Sequence, residues 1–261
     1  MPDPTTLASA VFTPPVYSDW TFWSSAIAFV ALSFSVGPLI WKWLRPPKLE
    51  LELYDRVALT HKVGNPNLQA HLIIRNVGGR EARISSVTAS VARDGGAPYV
   101  LPARNYLPSA PATGQTLAFS PFTVKTGDQW ANVVNFIAPW GRENEQRYRG
   151  LHHALREHIN QRLEQREPGN RQAIIADDAL VAPLIAMYEG NNNRWRPGQY
   201  ELVVKVTTTS KRVQVEQRYR FSVFEADAEE LRKLTDEYEM GFGIYLNSQR
   251  EPWIYPEVVR V

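Results

Sequence analysis

Between Asp19 and Lys42 the chain runs for 22 residues, Trp20 to Trp41, without a charged side chain. A helix of that length spans about 33 Å, enough to cross a hydrocarbon core of roughly 30 Å. Core helices of soluble domains rarely run so long without charge. Aromatic side chains gather at both ends, Trp20, Phe22 and Trp23 at one and Trp41 and Trp43 at the other. Indole rings favour the headgroup boundary, so the pattern marks two membrane interfaces. Pro38 lies inside the segment, where a membrane helix tolerates proline with a local kink. These features predict a transmembrane helix over 20–44, anchored by Trp20, Trp23, Trp41, Trp43, Lys42 and Arg45.

The flanks point to an anchor rather than a cleaved signal peptide. Met1 to Asp19 holds no Lys or Arg, and the apolar run leads into Trp41-Lys42-Trp43 with no small-residue cleavage site. Lys42, Arg45 and Lys48 stand on the C-terminal side, against Asp3 and Asp19 on the other. Lys and Arg are retained in the cytoplasm. The expectation is a single-pass protein of the cell inner membrane, with the tail 1–19 outside and everything after the linker 45–48 in the cytoplasm.

Beyond the anchor the chain is marked by proline, glycine and alternation. Pro46-Pro47 stops the helix. Leu49, Leu51 and Leu53 then alternate with Lys48, Glu50 and Glu52, the period of a half-buried strand. Further strands are predicted over 68–77, 83–92, 116–124, 129–138, 200–207 and 213–223, with a bulge at Ser85-Ser86 where Ile84 falls out of phase. The stretch 94–115, rich in Pro, Gly and Ala, reads as loop. About seven antiparallel strands fit a mainly β sandwich over 49–224.

A helical insertion is expected over 141–190, where Tyr148, Leu151, Leu155, Ile159 and Leu163 share a face. Asp227 with Glu230 resembles a capping box that opens a C-terminal helix within 225–261. Leu231, Leu234 and Tyr238 form its apolar edge, and Gly241 is its stop. The last segment, 252–261, is apolar enough to dock on the domain or on a partner.

Two local motifs sharpen the fold class. Ile73-Ile74-Arg75-Asn76-Val77-Gly78-Gly79 resembles the strand–Asn-x-Gly–strand turn of bacterial immunoglobulin-like domains. Asn and Gly there suit a positive φ. Trp195-Arg196-Pro197-Gly198-Gln199-Tyr200 resembles the Pro-Gly-x-Tyr approach to a late sandwich strand, in which a tyrosine hydroxyl ties back to the backbone. The resemblance implies an immunoglobulin-like sandwich on a single-pass anchor; it implies no activity.

Chemistry is sparsely signalled. With no cysteine in 261 residues, thiol nucleophiles, thiolate metal sites and disulfides are excluded. A net charge of +2, with arginines scattered among glutamates, points away from nucleic acid. His152, His153 and Glu157 crowd one helical turn, but His153 and Glu157 point away from the apolar face while His152 lies in it, so they do not converge as metal ligands. Asp177-Asp178 precedes an apolar helix and reads as an N-cap. No phosphate loop, nucleophile elbow or dinucleotide fingerprint occurs.

The expected function is therefore non-enzymatic and without cofactor: an interaction or sensor module whose partners are the bilayer, a membrane or cytoplasmic protein, or a second copy. Tyr148, Trp195, Trp253 and Tyr255 are its candidate interface residues. Two other classes compete. One is a membrane-associated hydrolase using His152, His153, Glu157 or Asp178. The other is an extracytoplasmic ligand-binding domain, which requires the reverse topology. Ser24, Ala28, Ala31 and Ser35 form a stripe of small residues, a candidate helix–helix contact. If the stripe is used, Ala28→Leu with Ala31→Leu reduces the oligomer mass measured by light scattering in detergent; an unchanged mass makes the stripe ordinary composition.

Overall fold

The structure is a computed structural model describing residues 17, 20–108, 115–167, 169–191, 195–210 and 213–261. Asp3, Asp19 and Arg212 lie outside the described residues, as do the side chains of Lys42 and Trp43. The chain divides into two units, Met1–Pro46 and Pro47–Val261.

In the first unit a single helix, α1, covers Trp20–Leu44. Its window Trp20–Gly37 is long and apolar enough to cross a membrane, and none of that window is buried. The serine hydroxyls inside it turn back on their own helix. Ser24 and Ser25 donate to the Thr21 carbonyl at 3.0 and 2.9 Å, and Ser33 donates to that of Phe29 at 2.8 Å. Such back-bonding satisfies a serine hydroxyl within its own helix. Trp20, Trp23 and Trp41 are exposed, as are Ser24, Ala28, Ala31 and Ser35. The Arg45 guanidinium sits 5.9 Å from the Trp41 ring.

The second unit is mainly β. Its ten strands among the described residues are β1 (Leu49–Lys62), β2 (Asn65–Asn76), β3 (Ala82–Arg93), β4 (Tyr99–Pro108), β5 (Leu117–Ala118), β6 (Phe122–Val124), β7 (Gln129–Ile137), β8 (Gly198–Thr208), β9 (Gln214–Val223) and β10 (Val259–Arg260). They pair antiparallel in the order β1-β2-β7-β4-β3-β8-β9-β10, with β5 on β4 and β6 on β3. Between β7 and β8 come α2 (Arg142–Glu164) and α3 (Asp178–Asn191); α4 (Glu225–Lys233) and a 3-10 turn (Leu234–Met240) follow β9.

β4 is the strand that the sequence conceals. Its first part, Tyr99–Pro102, pairs with β3, and Ala103–Pro108 pairs with β7, so one strand joins two neighbours in the sheet. Prolines at 102 and 108 disguise it as loop, because proline lacks the N–H a ladder uses. The strand expected over 116–124 is only two fragments, β5 and β6. The bulge in β3 is present as a register shift between Ile84 and Ser86 against β8.

The sheet nearly closes on itself through the C-terminal segment. Ile254 and Leu59 exchange backbone hydrogen bonds at 2.9 and 3.1 Å, Val258 N–H donates to the Asp55 carbonyl at 2.8 Å, and Val259–Arg260 then pairs with β9. Segment 252–261 thus docks on its own domain. Leu68, Leu72 and Ile74 of β2, Val87, Ala89 and Val91 of β3, and Leu202, Val204 and Val206 of β8 point into one core.

Two turns differ from expectation. At Asn76-Val77-Gly78-Gly79 neither glycine has positive φ. The Asn76 side chain builds the turn instead: Oδ1 accepts from Gly78 N–H at 3.1 Å, and Nδ2 donates to the carbonyls of Arg80 and Val124 at 2.8 and 3.0 Å. Asp227 does not open α4; it lies within the first turn and accepts from the Phe224 N–H at 2.9 Å, while Glu230 pairs with Lys233. Gly241, in the left-handed conformation at φ +82°, ends the 3-10 turn as expected.

The β1–β2 hairpin turns on Val63 and Gly64, at φ +49° and +75°. Both central residues of such a turn need positive φ, which is strained for a β-branched valine. Val63 is buried in a second core with Leu155, Leu184 and Tyr188 of α2 and α3, and that packing holds the strained turn. A Cβ on Gly64 would lie 2.5 Å from the Tyr188 carbonyl oxygen and 2.7 Å from Asn191 Cβ. Gly64→Ala should therefore destabilise the domain by roughly 2 kcal/mol or more, measured by chemical denaturation of the full chain against Gly95→Ala. Gly95 has open space around it and φ +72°, so it carries the strain alone.

Candidate functional site

A cleft of about 760 Å³ opens where the ends of β1, β2 and β7 meet α2. Ile137, Ala138 and Pro139 contribute apolar surface, and Trp140 and Tyr148 form an aromatic wall, their ring centroids 4.5 Å apart at 73°. Edge-to-face packing of this kind is the favoured arrangement of two rings.

Lys62, the last residue of β1, is fixed at the cleft by the loop after the 3-10 turn. Its Nζ donates to the carbonyls of Gly243 and Ile244 at 2.8 and 2.7 Å. Tyr148 donates its hydroxyl to the same Ile244 carbonyl at 3.1 Å, and the Lys62 ammonium lies 5.9 Å from the Tyr148 ring. Partial desolvation holds the Lys62 pKa below the ordinary lysine value. Burial pushes the Tyr148 hydroxyl up to about 12. His152 follows Tyr148 by one turn, its ring 5.9 Å from Tyr148 and 6.1 Å from Tyr245. Its pKa is lowered, by desolvation first and then by Lys62, Arg156 and His153.

On the rim Arg149 and Glu145 form an ion pair at 2.7 Å. Asn65 anchors the β2 side by donating to the Ala138 carbonyl at 2.9 Å. Arg104 is exposed, and its guanidinium has no hydrogen-bond or ion-pair partner among the described residues.

The residues that stand out in the sequence fare unequally. Tyr148 lines the cleft, half-buried. Trp195 is corrected: it is only 2% exposed and belongs to the core, its indole N–H donating to the Thr60 carbonyl at 2.8 Å. A buried indole needs such a partner, and the approach to β8 supplies it by pressing Trp195 against β1. The neighbouring Tyr200 hydroxyl donates to the Arg196 carbonyl at 2.6 Å, the tie-back expected of the motif. Trp253 is half-buried, while Tyr255 is 51% exposed and donates to Glu251 at 3.2 Å.

Of the four residues of the hydrolase alternative, three lie on α2 and Asp178 opens α3. His153, Glu157 and Asp178 are exposed, His152 is half-buried, and no hydrogen bond or ion pair joins any two of them among the described residues. Asp177, expected as a cap, instead accepts from Arg162 at 2.6 Å. Among the described residues no group of three or more His, Asp or Glu could hold a metal ion.

Lys62, Asn65, Arg104 and Trp140 carry no local pattern that marks them in the sequence. His61, isolated in the sequence, is structurally central. Its Nδ1 accepts from the Gly64 N–H at 3.1 Å, which leaves the proton on Nε2 to donate to the Leu231 carbonyl at 2.9 Å. Its ring lies 4.8 Å from that of Tyr188. Compared with known proteins, the chain matches no family model and no curated protein.

Burial drives the His61 pKa from 6.5 down to about 4, the Leu231 carbonyl opposing only in part. Above pH 6.5 folded and unfolded chains both carry it neutral. Below that value the unfolded chain binds a proton the folded one refuses, so stability falls until about pH 4 and then levels. The loss should be on the order of 3 kcal/mol. Unfolding free energies of wild type and His61→Gln between pH 7.5 and 4 check this: the variant, whatever its absolute stability, should lack that part of the slope.

Proposed function

We propose that this chain is a non-enzymatic interaction module tethered to the cell inner membrane by one helix, its β domain on the cytoplasmic side. The observation that carries the reading is α1: 25 residues with an apolar window of which nothing is buried, and with tryptophans at both ends. Exposed apolar side chains over such a length need a non-aqueous solvent, and tryptophans at two levels match the two faces of a bilayer. The Lys42, Arg45 and Lys48 bias supports the cytoplasmic orientation.

The domain reads as an immunoglobulin-like sandwich. The Tyr200 tie-back supports that class, as does β4, whose two halves pair with β3 and with β7. Contacts to a membrane or cytoplasmic protein fall to the exposed aromatics. Phe224 and Tyr255 flank a hollow of about 400 Å³ that also carries Arg56, Asp227 and Glu257. Exposed aromatic side chains at a mixed-charge rim are the usual composition of an interface centre. Tethering confines such a surface to the membrane plane and raises its effective concentration towards neighbours there.

The test combines fractionation and topology. Full-length protein should stay with membranes through a carbonate wash, and the same chain lacking 1–45 should be released. A fluorescent-protein fusion at the C-terminus should be bright and an alkaline phosphatase fusion inactive. The opposite fusion result would reverse the orientation and favour the extracytoplasmic ligand-binding class; recovery of the full chain in the soluble fraction would remove the tether.

A further inference from the structure

We infer that the cleft beside α2 binds a small organic anion with a flat, apolar body, such as an aromatic carboxylate, with Lys62 and Arg104 holding its charge and Trp140 and Tyr148 packing its ring. The size fits: about 760 Å³ lies within the range of small-molecule pockets, roughly 300–1,000 Å³. So does the balance of surface, an apolar floor with a few polar groups that fix orientation.

The charge sets the ligand's sign. Glu145, the one acidic lining residue, is engaged by Arg149 through two hydrogen bonds at 2.7 and 2.9 Å, which neutralises both. Lys62 and Arg104 remain without a carboxylate among the described residues. Lys62 directs two of its three ammonium protons to the Gly243 and Ile244 carbonyls. Those contacts hold the ammonium in place and leave one donor over. Arg104 offers a planar fork suited to a carboxylate.

The aromatic wall sets the ligand's shape. A flat ring packs against Trp140 and Tyr148 without disturbing their edge-to-face contact.

The experiment is isothermal titration calorimetry on the full chain in dodecylmaltoside micelles, against 4-hydroxybenzoate and its neutral isostere 4-hydroxybenzamide, with micelle blanks subtracted. Saturable binding of 4-hydroxybenzoate is expected, with 4-hydroxybenzamide about tenfold weaker. Arg104→Gln, which alters an exposed side chain without a hydrogen-bond or ion-pair partner among the described residues, should weaken the anion about fivefold or more and leave the amide unchanged. Lys62→Met also removes the contacts to the Gly243 and Ile244 carbonyls, so Arg104→Gln, shown by its melting curve to be folded, is the deciding variant. Absence of saturable heat, equal affinity for the two probes, or an Arg104→Gln variant that binds the anion as wild type does would each overturn the assignment.

Discussion

The reciprocal backbone pair between Leu59 and Ile254 is the contact on which the β domain depends. A sheet whose strands run from β1 to β9 presents two open edges, each a row of unpaired N–H and C=O groups and a template for association. The C-terminal segment answers both edges with one strand: it meets β1 at Leu59, Val57 and Asp55, then passes to β9 at Arg220 and Tyr219. Midway along the strand order β4 does the complementary work, passing from β3 to β7 within a single strand. These two strand-sharing devices make one nearly closed sheet.

Near-closure leaves an end to cover, and the helical insertion covers it. The β1–β2 hairpin reaches that end with Val63 and Gly64 at its tip, a turn that an exposed hairpin would fill with Asn-Gly. Valine is there because the tip is buried: Val63 packs with Leu155, Leu184 and Tyr188 in a core separate from that of the sheet. His61 then joins three elements, the hairpin through Gly64, α3 through Tyr188 and α4 through the Leu231 carbonyl. The cleft arises from this junction. Lys62 comes directly after His61, alternation turns its side chain to the other face, and there it meets Tyr148 and the 243–244 carbonyls.

How much of the fold is legible in the sequence depends on how local its physics is. The apolar helix, the alternation in β8 and β9, the apolar face of α2, the Gly241 stop and the Tyr200 tie-back are set within a few residues, and each is visible there. β4 is not, because Pro102 and Pro108 look like loop unless one knows that the strand changes partners between them. The hairpin tip is not, because a valine at positive φ makes sense only once the helices above it are placed. Trp195 resembles an exposed anchor because nothing near it in sequence announces the Thr60 carbonyl, 135 residues away, that its indole needs. The cleft is the least legible part: Lys62 finds its carbonyls 181 and 182 residues further on. Only the aromatic wall leaves a trace, in Tyr148, which the helical period places on the packed face of α2.

The histidine cluster, conspicuous in the sequence, reports how far the cleft is shielded from water. His152 and His153 are adjacent on α2, yet of the two only His152 lines the cleft, where its proton affinity is lowered. Desolvation is the larger cause, and Lys62 is the first of the three cations that add to it. His152 on α2 and Lys62 on β1 share one cause, burial at the cleft, which disfavours the charged form of each. The Glu145 carboxylate on the same rim is engaged by Arg149. Lys62 and Tyr148 are held at the cleft by the Gly243 and Ile244 carbonyls and Trp140 by its contact with Tyr148, so the groups that would meet a guest are in place before any guest arrives.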